Sequence, residues 1–468
     1  MDAMFSMKRW LSTSFVLAGL AVLAVPGCAP DVPQEETVER TQVVFDSETG
    51  SIPLPSDAAL DDDGTLPDLP GIDEEGAEGD FASYLTELHG WLPASGIEIP
   101  VSGPVDESTL TADAVKVFEF SGENNQTVEE LTVTGVNFNS DDNMITVSVE
   151  GGYSLSSWYG YVMTNAVQDT DGKPLLPPQA LFFAGADKPL LEDGDASKPN
   201  FSLLEELPAE QRQQLYGLQQ LYKPVYQAAE DAGVARENVI AASFWHTSRD
   251  TFVEFDSATG QIPLPSDAAL DDQGTLPDLP AVGEDTAEGD LARYLTELHG
   301  WLPASQIEIV VGGELDASTV TADAFKVFEF SGENNQTVTE RTISSVDYDA
   351  ENNLITVSVE DPYRFHSNYG YVMTDDVTDA DGNPLYAPQT LALARIEEPL
   401  LEGGDPTQPN LSTLAGIPEA DRAQLYGLQQ LYKPTLDAAA GAGVERSNVV
   451  AVSFWHTAND TLVRFDPN

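Results

Sequence analysis

The chain is poor in cysteine, histidine and positive charge. It has one cysteine, Cys28, and five histidines, and 20 basic side chains stand against 79 acidic ones, a formal net charge of −59 over 468 residues. A single cysteine excludes an intramolecular disulfide framework. So negative a surface repels phosphate backbones, which excludes nucleic acid as a partner. No Gly-x-Ser-x-Gly nucleophile turn occurs, and no His-Glu-x-x-His metal motif. The apolar run at residues 11–25 is too short to span a bilayer. The chain is nevertheless 41% hydrophobic, too apolar for a disordered acidic polymer and long enough for two or three domains.

That apolar run has a telling context. Lys8 and Arg9 precede it, and Val25-Pro26-Gly27-Cys28 closes it. The arrangement resembles a bacterial lipoprotein signal peptide. The resemblance implies that residues 1–27 are removed and that Cys28 is lipidated, so that an N-terminal lipid anchor reaches the membrane. Ala29 is not the inner-membrane retention aspartate of enteric bacteria, so the expected address is the cell envelope, at the outer membrane of a Gram-negative bacterium. Residues 28–40, "CAPDVPQEETVER", read as an acidic flexible tether. An ordinary secretory signal is the alternative.

The rest of the chain is written twice. "FDSETGSIPLPSDAALDDDGTLPDLP" begins at Phe45 and returns at Phe255, differing only at Glu48/Ala258, Ser51/Gln261 and Asp63/Gln273. The offset, 255 − 45 = 210, sets two repeat domains, 41–250 and 251–468. In the first copy "VKVFEF", "LTVTGVNF", "MITVSV", "YGYVMTNAV" and "NVIAASFWHT" alternate or are rich in β-branched and aromatic residues. The expected fold class is mainly β, with two tandem immunoglobulin-like β-sandwich domains carrying helical inserts. Phe81, Tyr84, Leu85 and Leu88 form one helical stripe that Gly90 ends. A longer helical stretch follows at 203–234, where Pro224 is expected to break it in two and Gly233 to terminate it. The segment "TxVxFD", at Thr41, Thr251 and Thr461, is expected to complete the sheet of the domain before it or to pass between neighbours.

Three sets of residues could carry chemistry. "DTDGKP" places Asp169 and Asp171 around a glycine turn, and "DADGNP" does the same with Asp379 and Asp381. Carboxylates crowded on a tight loop suit calcium, and the same residues also make plain β-turns. "DDDGTLPD" from Asp61 and "DDQGTLPD" from Asp271 offer the same choice. His246 could form a triad with Ser248 and Asp250, although structural histidines are the commoner outcome. Trp158, Tyr159, Tyr161, Tyr363, Phe365, Tyr369 and Tyr371 could form an exposed glycan platform or lie in the sandwich core.

In order, "FDSETGSIPLPSDAAL", "VKVFEF", "GYVMTNAVQDTDGKPL" and "LQQLYKPVYQAAEDAGVARENVIAASFWHT" resemble the N-terminal domain of bacterial virulence-factor lipases. The resemblance covers nearly all of 41–468. In those lipases an α/β-hydrolase domain follows and holds the nucleophile, and its signature pentapeptide is missing here. The expectation is therefore a non-enzyme: a binding or spacer module at the bacterial surface, with an unknown protein or glycan ligand. The alternatives are an accessory protein to a separate secreted lipase, or a divergent esterase.

Overall fold

The computed structural model describes residues 40–46, 51–67, 76–122, 125–255, 261–277, 282–283, 285–411, 413–414 and 417–460. The expected leader, Cys28, the tether except Arg40, and the third "TxVxFD" at Thr461 lie outside the described residues. Two compact units form: the described residues of 2–73 with 85–249, and those of 74–84 with 250–468. Among the described residues no helix is long and apolar enough to cross a membrane.

In the first unit a three-stranded antiparallel sheet comprises β1 (Ile97–Pro100), β5 (Met144–Val149) and β4 (Val133–Asn139), in that order. A four-stranded antiparallel sheet runs β3 (Thr127–Leu131), β2 (Val115–Ser121), β6 (Trp158–Thr164), β7 (Val239–His246). Edge strand β3 is exposed along most of its length and carries Glu129 and Glu130. Strand β7 is buried at every position. The reason is layering. One face of the four-stranded sheet looks into the sandwich, and the other packs under helices α2 (Gln179–Ala184) and α4 (Ala209–Asp231), with Phe118, Phe120, Val162, Phe244, Tyr222 and Val225 in one cluster. The helices thus form a third layer. Helix α3 (Ser202–Glu205) is a single turn leading into α4.

The second unit repeats this plan. Strands β8 (Ile307–Val310), β12 (Leu354–Val359) and β11 (Ile343–Asp349) make the small sheet. Strands β10 (Thr337–Arg341), β9 (Phe325–Ser331), β13 (Asn368–Thr374) and β14 (Val449–His456) make the large one. Ile307, Ile309, Val357, Tyr371 and Trp455 share one core between the two sheets. Helices α6 (Gln389–Ala394) and α7 (Glu419–Gly441) cover the outer face of the large sheet. Helix α5 (Ala287–Thr296) precedes β8. The described part of 74–84 also belongs to this unit and holds most of helix α1 (Ala77–Glu87).

Two expectations are corrected. Pro224 does not break α4, which continues through it, and α7 likewise contains Pro434. An interior proline costs a helix about 3 kcal/mol. Tyr222, Val225, Tyr226 and Ala229, on both sides of Pro224, are buried on the sheet. Each large side chain there contributes about 1.5–3 kcal/mol, which outweighs the proline. Helix α4 ends as expected: Gly233 has φ +86°, its N–H donates to Glu230 O at 2.9 Å, and Val234 N–H donates to Ala229 O at 2.8 Å. The second correction concerns "TxVxFD". Val43 bridges to Val101 and Gln42 to Leu176, while Val253 bridges to Val311 and Phe252 to Tyr386. The segment therefore pairs within the copy it opens, and does not complete the preceding one.

Candidate functional site

Each copy builds the same polar knot where strand β7 or β14 ends. The turn Asp57–Ala59 begins at Ser56, whose hydroxyl accepts from Ala58 N–H at 3.3 Å. Asp57 then points at the end of β7: His246 N–H donates to Asp57 Oδ1 at 3.1 Å, and His246 Nδ1 lies 2.7 Å from Asp57 Oδ2. In the second unit His456 N–H donates to Asp267 Oδ1 at 3.1 Å, and Nδ1 lies 2.7 Å from Oδ2. A carboxylate only accepts, so each imidazole carries its proton on Nδ1. For His456 this bond raises the pKa above its ordinary value, against the opposing effect of burial.

The surrounding hydroxyls are bonded to the scaffold. Ser56 Oγ and Tyr222 OH are 2.8 Å apart, and burial pushes the Tyr222 phenol up to about 12. Ser243 Oγ donates to Pro55 O, and Ser453 Oγ to Pro265 O. Each imidazole leaves no room for a side chain at a neighbouring glycine. A Cβ on Gly90 would stand 2.9 Å from His246 Nε2, and one on Gly300 2.8 Å from His456 Nε2. Both glycines have φ above +100°, a region closed to most other residues.

The local triad is therefore replaced. Ser248 is fully buried and its N–H donates to Trp91 O at 2.7 Å; the carboxylate on His246 comes from Asp57, 189 positions away in sequence. Sequence reasoning missed Asp57 because nothing local points to it. The available signal was the doubled spacing, since "PSD" and "FWH" recur at the same separation in both copies.

The acidic loops are turns held by their own donors. Asp169 is buried, and its Oδ1 accepts from Asp171 N–H at 3.0 Å and Lys173 N–H at 2.9 Å. Asp379 is held in the same way by Asp381 N–H at 3.0 Å and Asn383 N–H at 2.8 Å. Asp171 and Asp381 are exposed. Asp271 accepts from Thr275 N–H at 2.9 Å, and this bond keeps its carboxyl below the usual carboxylate range. Among the described residues no group of three or more His, Cys, Asp or Glu side chains converges as a metal site would require.

Most of the candidate aromatic platform is interior. Tyr159, Tyr161, Tyr369 and Tyr371 are buried, with Tyr161 and Trp245 ring centroids 6.1 Å apart and Tyr371 and Trp455 6.0 Å apart. Tyr363 packs on Trp455 at 5.4 Å, and Trp158 stacks on Phe244 at 5.1 Å. Phe365 alone among them is exposed. A groove of about 740 Å³ runs between strands β9–β10 and helix α7 in the second unit, lined by Phe330, Asn335, Val338 and Lys433 among others.

No family model matches the chain, and no curated protein is significantly similar to it.

Proposed function

We propose that the protein is a non-catalytic, lipid-anchored lipoprotein of the cell envelope, whose sandwich units act as a binding and spacer module at the bacterial surface. One observation carries this reading: the histidine–aspartate pair is built twice, each time inside a web of bonds to the scaffold. The serines nearby are bonded to the scaffold. The pair instead fastens the turn at Asp57 or Asp267 to the end of the last strand. The resemblance to the leading domain of virulence-factor lipases supports the same reading, since that domain is the non-catalytic part. Cys28 would supply the anchor, and the groove beside α7 offers a place for a protein or glycan ligand.

The test is turnover of short- and long-chain nitrophenyl esters by the purified protein. No turnover is expected. Turnover abolished by a serine-directed inhibitor would overturn the reading. It would favour the second one, a divergent esterase, which rests on the carboxylate–Nδ1 bond that also orients the base in a catalytic triad. In that case Asp57→Asn and Asp267→Asn together would abolish the activity. Lipidation is tested separately: labelled palmitate is expected to be incorporated, and Cys28→Ala to lose it.

A further inference from the structure

The same helix occurs in both repeats, and it is covered only once. In the second unit, helix α1 lies on the segment around α6. Tyr84 OH donates to Ala387 O at 2.9 Å, the Arg395 guanidinium lies 5.8 Å over the Tyr84 ring, and Ala77 N–H donates to Glu398 Oε2 at 3.4 Å. Phe81 is 2% exposed and Tyr84 3%. Helix α5 is the repeat of α1, displaced by 210 residues, with Leu291 for Phe81 and Tyr294 for Tyr84. There Leu291 is 54% exposed and Tyr294 42%. Two large apolar side chains one helical turn apart stand open on a face that its twin buries.

The complementary surface is open on the other unit. Helix α2 repeats α6 at the same offset. Ala392 and Thr413 are buried, whereas their counterparts Phe182 and Leu203 are 66% and 68% exposed. The charges also suit each other. Glu398 in the covered arrangement is replaced by Lys188, and helix α5 carries Glu288 and Asp290 in its first turn. Gly185 stands where Arg395 lies over Tyr84, so the open version loses that cation–π contact and gains a charge pair.

We propose that the α5 face of one molecule, Leu291 and Tyr294, docks on the α2 face of a second copy of this chain, at Phe182 and Leu203, repeating between chains the seat that α1 takes on α6. The two faces differ, so the contact is head-to-tail and grows into chains or rings instead of stopping at a symmetric dimer. With −59 formal charges per molecule, association opposes strong repulsion, and salt promotes it.

The test is analytical ultracentrifugation of the purified protein across a hundredfold range of concentration, at about 0.05 M and about 0.5 M salt, where the screening length falls from about 14 Å to about 4 Å. The expected result is concentration-dependent growth past the dimer, stronger at high salt. Tyr294→Asp and Phe182→Asp alter exposed positions, so each is expected to keep the parent melting temperature and to sediment as a monomer. Mixed one to one, they retain one intact face each, so the mixture is expected to form a heterodimer and stop there. A protein that stays monomeric under all conditions, an assembly that survives both substitutions, or a mixture that stays monomeric would each overturn the proposal.

Discussion

Gly370→Ala tests the packing of the proline-containing helix on the sheet. Gly370 lies in the middle of β13, beneath α7. A Cβ there would stand 2.1 Å from Thr435 Oγ1, 2.9 Å from Thr435 Cγ2 and 3.0 Å from Ser453 O. Ordinary contact begins near 3.4 Å, so 3.4 − 2.1 = 1.3 Å must be found. Thr435 is fully buried and its hydroxyl donates to Ser453 O at 3.0 Å. If Thr435 rotates away, a buried hydroxyl loses its partner, at about 1–3 kcal/mol. If the helix moves instead, overpacking costs about 1–3 kcal/mol. Either way the loss is about 1–3 kcal/mol. Gly160→Ala in β6 meets Val225 Cγ2 at 2.9 Å and is milder. The assay is calorimetry on the whole protein, with the first unit as internal reference. Gly370→Ala is expected to lower the transition of the second unit and leave the other in place. In a Thr435→Ala background most of that cost is expected to vanish, because the nearest clashing atoms are gone and only the Ser453 O contact at 3.0 Å remains. An unmoved transition, or the same cost in both backgrounds, would refute the argument.

Two further predictions follow from the site. The bond to Asp267 holds the His456 pKa above its ordinary value, about 6.5, so the folded state binds the proton more tightly than the unfolded chain does. Its contribution is fully present below that value and is lost as pH rises through the raised folded value. The stability of the second unit is thus expected to fall with alkalinisation across this window, and Asp267→Asn to flatten that slope; denaturant midpoints at fixed ionic strength measure both. The acidic turns hold their carboxylates with their own amides, so millimolar calcium and EDTA are expected to give the same melting temperature, and a rise with calcium would mean that Asp169 or Asp379 has an outside ligand.

Much of the sheet framework was legible because alternation and β-branching follow directly from two-sided burial. "MITVSV" and "YGYVMT" became strands where their pattern put them. Strand β1, "IEIP", escaped notice because it is four residues long and ends in proline. Strand β3 escaped because its exposed edge carries no apolar face to read. Pro224 misled because helix propensity is a local cost, and the burial that overrides it comes from residues of a sheet distant in sequence. The site failed in the same way: His246 and Ser248 are neighbours in the chain but His246 is bonded to Asp57, and only folding brings that carboxylate near.

Tyr84 and Tyr294 carry this reasoning one step further. They occupy equivalent places in "YLTELHGWLPAS", yet one is buried and the other open. The twelve residues from each tyrosine onward are identical, and before it the helices differ only at Phe81/Leu291 and Ser83/Arg293. What also differs is the surface available to receive each helix. Around α6 the small residue Ala392 and the acid Glu398 accompany a covered face; around α2 the bulky Phe182 and the base Lys188 accompany an uncovered one. The apolar stripe on α1 and α5 is therefore only half of an instruction, and its meaning is completed by a receiving face far away in sequence, 303 positions off for the Tyr84–Ala387 bond. A duplicated domain can gain an interface in this way with little change to the helix that makes it, because altering the receiving face helps decide whether the helix is part of a core or a contact offered to another molecule.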